Sequence, residues 1–420
     1  MIRTFQQTMR KQVLSVIFLL FLLLSVNPSF SQDKGCNCKS DLAFLHGKIK
    51  KTPSYKNNKL AYNDRYAQAL VEAITVSSDY ECFVLLNKLL LALNDNHAKI
   101  YGINKGATEE IRTDMLQFES FKNGPIFNGY PRAKIDLDSL NNELTKKQVS
   151  DVEGVYTKKN HMTIGVFKTG KAYQAVILGT QNPVWERGEI MYTLIPYGDN
   201  NLLSIGGDIA SKRFIAYPER IENGFFLTMG FQKDATQPNY ALANYPDSTY
   251  VRKEISSDIT YLKIGSFNSW YPTLSDAEKF YKSLEGTLTK KNLIIDLRDN
   301  GGGGNRNSNI LLKIVEQYME QHRVWVIINQ RTGSNAEQFT HKLSQFENCQ
   351  TFGNRTNGTV AYELVDANYN LPCEKFIAVL TSKKHPEFLE IESIGITPQV
   401  TFNMDSDWLN QLVSYLDFLK

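Results

Sequence analysis

The periodicity of apolar positions changes three times along the chain. Between 40 and 96 it is helical. Leu42, Leu45 and Ile49 share a face of SDLAFLHGKIKK, YAQALVEAITVSS keeps the texture, and ECFVLLNKLLLALND predicts a strongly apolar helix ending near Asn94. From about 103 to 148 the chain is polar and weakly periodic, with a turn at Tyr130-Pro131. From about 150 to 248 short strand-like runs take over, among them GVYTKKNHMTIGVFK, YQAVILGT and RFIAYPERI, separated by Gly, Asn and Asp turns. That spacing predicts an all-β domain over 149–248, a small antiparallel barrel or sandwich. Trp185, Tyr192, Tyr197 and Tyr217 within it either line a groove or, at strand spacing, fill its core. Beyond 249 strands alternate with helices: DITYLKIGSF, LSDAEKFYKSLEGTL, NLIIDLR, NSNILLKIVEQYME, RVWVIIN, SNAEQFTHKLSQF. Alternation of this kind predicts an α/β core over 249–420, closed by the helix SDWLNQLVSYLDFL.

Composition adds little to this division, but the N-terminus adds a compartment. With 47 basic and 44 acidic residues the net charge is +3, and no basic stripe suggests nucleic acid. Arg3, Arg10 and Lys11 precede an apolar run over 13–26, and small Ser29 and Ser31 follow. This is the pattern of a cleaved secretory signal over 1–31, with a mature chain starting near Gln32 and no membrane span after cleavage. The run is short for a bilayer span. The N-terminal helical region then covers 32–148. The chain is expected to be periplasmic, at the cell surface or secreted. Export permits disulfides among Cys36, Cys38, Cys82, Cys349 and Cys373. Cys36 and Cys38 are poorly spaced for a mutual bridge, a Cys349–Cys373 pair fits the neighbouring strands they flank, and the odd count leaves at least one free thiol or an intermolecular bond; the connectivity is otherwise left open. No metal cluster is visible, and neither a metal nor a cofactor is implied.

Four stretches carry candidate chemistry. In VIINQRTGSNAEQF a strand runs into a polar turn, and Ser334 opens the next helix with Glu337 three residues on. That is a capping box, and equally a hydroxyl at a helix mouth. DLRDNGGGG, at 296–304, follows a buried-looking strand; its glycines allow backbone N–H groups to converge on an anion, as an oxyanion hole requires. The patterns of phosphate loops are not met there. LNDNHAKIYG places His97 just past a long helix, in reach of a general-base role. LEIESIGITPQV places Glu392 before a Gly-Ile-Thr-Pro turn, the acid a Ser–His pair needs.

In this order, DNH at 95–97, DLRDNGGGG at 296–304, TGSNAE at 332–337, GNRTNG at 353–358 and EIESIGITP at 390–398 resemble the S41 serine peptidases, the C-terminal processing peptidase and tricorn core family. The resemblance implies a ClpP/crotonase-like α/β catalytic core with an N-terminal helical region and an inserted all-β, barrel-like domain. It makes Ser334 the nucleophile, His97 the base and Glu392 the acid that holds the imidazole, directly or through a bridging group. Gly302, Gly303 and Asn335 then supply the oxyanion hole. Processing peptidases of the family use a lysine just after their G-x-x-T-x-G segment; here Thr359 occupies that position, so the histidine style is implied instead. The G-L-G-F type of loop of the family's PDZ domain is missing. The expected partner is a protein or peptide substrate; the oligomeric state is left open. Two alternatives accompany this reading: a binding protein that keeps the fold without activity, and an esterase using the same residues.

Overall fold

The computed structural model describes residues 36–198, 200–243, 248–364 and 368–419. The segment read as a secretory signal, 1–31, lies outside them. Among the described residues no helix is long and apolar enough to cross a membrane.

The first helices follow the sequence spacing: α1 (Cys38–Ile49), α2 (Lys59–Glu72) and α3 (Asp79–Leu90). Local chemistry starts them. Asn37 accepts from the Ser40 N–H at the head of α1, and Ser78 accepts from the Glu81 N–H at the head of α3. Leu42, Leu45 and Ile49 share one buried core with Phe83, Leu86 and Leu89. A disulfide between Cys38 and Cys82 ties α1 to α3, and Cys36 pairs with Cys373. The expected Cys349–Cys373 bridge is therefore corrected. Cys349 is a free thiol buried in the apolar core of the α/β region, whereas Cys373 packs against the N-terminal helices. Past α3 the chain turns on left-handed Asn94 (φ 47°) into the loop that bears His97, then into the short strand β1 (Lys99–Gly102).

Six antiparallel strands follow in a meander: β2 (Gly154–Lys158), β3 (Met162–Thr169), β4 (Ala172–Thr180), β5 (Ile190–Tyr197), β6 (Asn201–Gly207) and β7 (Phe214–Glu219). The all-β character matches the sequence pattern. Among the described residues no strand pairing joins β2 to β7, although isolated bridges link Thr157 of β2 to Gln232 and Gln232 to Phe225. The strand β6 is buried along its whole length. Its Leu203 and Ile205 pack into the core of the N-terminal helices, while Leu202 packs with Trp185, Tyr192 and Tyr130 on the opposite side. That opposite face gathers Tyr156, Ile164, Ile177, Leu194 and Leu202, one from each of β2 to β6, into a shared core with Phe226 and Phe231, so the sheet curls around its own side chains. Trp185 and Tyr192 are core residues, whereas Tyr217 is exposed.

The α/β region is a six-stranded sheet. Its edge strand β8 (Tyr250–Glu254) pairs antiparallel with β9 (Ile259–Ile264). After β9 come α4 (Thr273–Leu284), β10 (Asn292–Asp296), α5 (Asn305–Met319), β11 (Arg323–Ile328), α6 (Asn335–Leu343) and β12 (Cys349–Gly353). The strands β9, β10, β11 and β12 lie side by side and parallel. Side chains on a strand alternate between faces, and the two cores follow that alternation. Leu293 and Ile295 pack with Tyr281, Leu311 and Phe339 of the three helices, while Ile294 packs on the other face with Trp408 and Leu412. The chain continues through β13 (Asn368–Asn370) and β14 (Phe376–Val379), the latter pairing antiparallel with β1. It ends in β15 (Val400–Thr401), which adds to β12, and in α7 (Trp408–Phe418). One consequence of the parallel order matters most. Four loops leave the carboxyl ends of adjacent strands on the same edge, where α/β sheets bind ligands.

Candidate active site

Ser334 lies at the end of the loop after β11, as the cap of α6. Its backbone takes φ 53° and ψ −124°, a conformation that L residues rarely adopt. Strain of this kind persists only where the surroundings hold it, and here two acceptors do. The Ser334 N–H donates to the Thr359 carbonyl at 2.7 Å and to Glu337 Oε2 at 3.0 Å. The turn frees the hydroxyl to face His97, whose Nε2 is 3.1 Å from Ser334 Oγ. The two residues are 237 positions apart in the sequence.

The loop that brings His97 there is fastened by side chains. Asp95 Oδ1 accepts from the N–H groups of His97 (3.1 Å) and Ala98 (3.2 Å), and its Oδ2 accepts from Thr381 Oγ1 at 2.5 Å. Asn96 reaches the Gly358 carbonyl through Nδ2 at 3.1 Å. Glu392 reaches the histidine loop through its backbone. Its Oε1 accepts from the Asn96 N–H at 2.9 Å, and its Oε2 accepts from the N–H groups of Val360 (2.8 Å) and Ala361 (2.6 Å). The carboxylate therefore holds the backbone next to His97 and not the imidazole. His97 Nδ1 is buried and meets no hydrogen-bond partner among the described residues.

Burial governs the ionisation of this cluster. It pushes the His97 imidazole down to about 3, the Lys99 charge acts in the same direction, and the Glu363 carboxylate opposes both. Burial also pushes Glu392 up to about 8, against its backbone donors, and Glu337 up to about 7. The histidine is thus neutral over the ordinary pH range, the form that can accept a proton.

Glycine conformations shape the floor. Gly302 has φ +96°, and a methyl built on it would lie 2.7 Å from the Gly333 carbonyl oxygen, 2.7 Å from Ser334 Cβ and 2.8 Å from the Asn335 nitrogen. Only glycine lets the two loops approach so closely. Of the three groups expected to bind an oxyanion, Gly302 is spoken for, because its N–H donates to Asn300 Oδ1 at 2.9 Å. The N–H groups of Gly303 and Asn335 meet no protein acceptor among the described residues.

Three residues that sequence reasoning passed over or read only as a cap hold these loops together. Asn300 donates from Nδ2 to the Ile264 carbonyl at 3.0 Å, and its own carbonyl accepts from the Gly333 N–H at 3.0 Å, so it joins the ends of β9, β10 and β11. Asn329 exchanges hydrogen bonds with Asp299, at 2.8 Å to Oδ1 and 3.1 Å from the Asp299 N–H. Glu337, besides its bond to Ser334, accepts from Thr356 Oγ1 (2.6 Å), Gly358 N–H (2.7 Å) and Thr359 N–H (3.0 Å). The signal for Asn300 and Asn329 was present, since polar residues between buried strands need partners.

A half-buried serine hydroxyl 3.1 Å from a buried imidazole, at the carboxyl edge of a parallel sheet, has the pieces that nucleophilic catalysis needs. The comparison with known families sharpens that. The profile of Peptidase family S41 matches residues 258–316, from β9 through the glycine-rich turn into α5, so the S41 resemblance read from the motifs is borne out there. The match ends short of Ser334 and does not include His97 or Glu392. Among curated proteins, none matches the sequence. Solved structures similar to the chain include a putative peptidase from Parabacteroides merdae, at 14% identity over 91% of this chain and 96% of that one (TM-score 0.41). Mature CPAF is similar at 13% identity over 91% and 95% (TM-score 0.44). The tricorn protease is similar at 13% over 91% and 36% (TM-score 0.42). The S41 likeness supports a serine-type peptidase in general.

Proposed function

We propose that the chain is an exported serine peptidase that cleaves peptide bonds through an acyl-enzyme on Ser334. The observation that carries this is the 3.1 Å contact between His97 Nε2 and Ser334 Oγ. In this mechanism the Ser334 oxygen attacks the scissile carbonyl carbon while His97 takes its proton. The carbonyl oxygen gathers negative charge between the Gly303 and Asn335 N–H groups, at the head of α6, where the helix dipole favours it. His97 then passes the proton to the leaving amine nitrogen as the C–N bond breaks, and water hydrolyses the ester by the same route in reverse. Glu392 fixes the base by gripping the Asn96 peptide, which makes it a positioning residue.

A second reading rests on a specific observation. The unpartnered His97 Nδ1 and the downward push on its imidazole leave the charged intermediate poorly supported. This favours a weakly active or inactive protein that binds peptides on the same edge. A fluorophosphonate probe separates the two, since only an activated Ser334 labels; Ser334→Ala is the control. Turnover of denatured casein against simple esters separates a peptidase from an esterase. Export is tested by N-terminal sequencing of the mature protein, with a start near Gln32 expected.

A further inference from the structure

The loop after β9 carries two large aromatic side chains that the fold does not use. Trp270 is 80% exposed and Tyr271 is 66% exposed, and the guanidinium of Arg306 stands 5.8 Å from the Tyr271 ring centre. Exposed aromatics standing together on an otherwise well-packed region mark contact sites more often than chance. Their position says which contact. The Phe267 N–H donates to the Gly302 carbonyl at 3.0 Å, and the Phe267 carbonyl accepts from the Gly304 N–H at 2.9 Å. The loop therefore runs alongside the glycine-rich turn that carries Gly303, assigned above to the carbonyl oxygen. It is pinned there: Ser269 Oγ donates to the Gly304 carbonyl at 3.0 Å, and Asn307 Nδ2 donates to the Asn268 carbonyl at 2.9 Å.

We infer that Trp270 and Tyr271 form a fixed shelf for an apolar or aromatic side chain of an extended peptide, next to the bond that Ser334 would cut. The inference rests on the peptidase reading above and adds a substrate preference to it. Trp270 lies three residue steps from Phe267, a span of at most about 10 Å. An extended peptide with its scissile carbonyl at Gly303 reaches the shelf with a residue no more than about three positions away. Aromatic surfaces of this size dominate the contacts they join. The pinning of the loop means little order has to be imposed on binding.

The molecule supplies its own reporter. Of its four tryptophans, Trp185, Trp325 and Trp408 are at most 3% exposed, so Trp270 alone lies open to solvent. The test titrates the Ser334→Ala protein with two unstructured peptides, one with Phe or Leu at every third position and one of Gly and Ser only. The apolar peptide is expected to move tryptophan emission to the blue and to saturate, whereas the polar one does neither. In the Trp270→Ala, Ser334→Ala protein, fluorescence anisotropy of the labelled apolar peptide should show affinity weakened roughly tenfold or more. Trp270→Ala alone should raise KM by a similar factor, with kcat moved far less. An unchanged affinity in the Trp270→Ala background, or no spectral change on binding, overturns the shelf. Fluorophosphonate labelling of wild-type protein is scored separately. Labelling with no effect of Trp270→Ala sinks the shelf and spares the peptidase. Absent labelling with a tenfold loss of peptide binding sinks the peptidase and spares the shelf.

Discussion

Replacing Gly302 by alanine perturbs the candidate site at its tightest point. The added methyl would meet Gly333 O, Ser334 Cβ and Asn335 N at 2.7, 2.7 and 2.8 Å. Carbon atoms rest about 3.5–4.0 Å apart, so Ser334 and the glycine-rich turn must separate by roughly 0.8–1.3 Å. The positive φ of +96° adds strain of about 1–3 kcal/mol for a non-glycine residue. A displacement near 1 Å in a catalytic arrangement typically costs about a hundredfold in rate. We therefore expect kcat on a fluorogenic peptide to fall on the order of a hundredfold with a smaller change in KM, and stability in urea to fall by about 1–3 kcal/mol. Gly301→Ala is the internal control, because its position is open, with nothing within 4 Å of an added methyl. Near-wild-type kcat in a folded Gly302→Ala protein would refute the reasoning, as would equal damage from Gly301→Ala.

Further outcomes follow from the same geometry. With its folded pKa pushed down to about 3 from an ordinary 6.5, His97 stays neutral as pH falls through 6.5, so labelling of Ser334 should persist to pH 5; a loss centred on 6.5 would show that the imidazole is not held this way. Thr359→Ala should leave labelling within about threefold, because among the described residues its hydroxyl bonds only Asn357 Oδ1 (2.9 Å) while its backbone serves Ser334 and Glu337; complete loss would give the side chain a role the structure does not. Glu337→Gln should cost roughly 1–3 kcal/mol for each donor left without an acceptor, read as a fall in urea midpoint together with slower labelling. Peptide mapping under non-reducing conditions should find Cys36 joined to Cys373 and Cys38 to Cys82; a Cys349–Cys373 peptide would overturn that part of the fold.

Much of this was legible in the sequence because it is local. The buried parallel strands read as apolar runs, and the turn chemistry at Asn94 and at 301–304 announced loops where the structure has them. The motif order at His97, Ser334 and Glu392 drew attention to three elements that the fold brings to one edge. What stayed hidden depends on distance in space. Cys36 and Cys373 are separated by 337 residues, and no spacing rule joins them. The core that β2 to β6 enclose joins residues from Tyr156 to Phe231, which no local pattern brings together. Glu392 was read as an acid for the imidazole because a Ser–His pair needs one; its three backbone donors become visible only when the loops at 96 and 360–361 are folded against it. Glu337 read as half of a capping box, which it is, yet its other donors come from the loop after β12.

The central claim is that His97 activates Ser334. Fluorophosphonate labelling of the wild-type, His97→Ala and Ser334→Ala proteins at pH 7, with the modified peptide located by mass spectrometry, tests it most directly. Labelling at Ser334 in the wild-type protein, abolished in both variants while each stays folded, is the expected result. Labelling of His97→Ala at the wild-type rate would contradict the account and require another base.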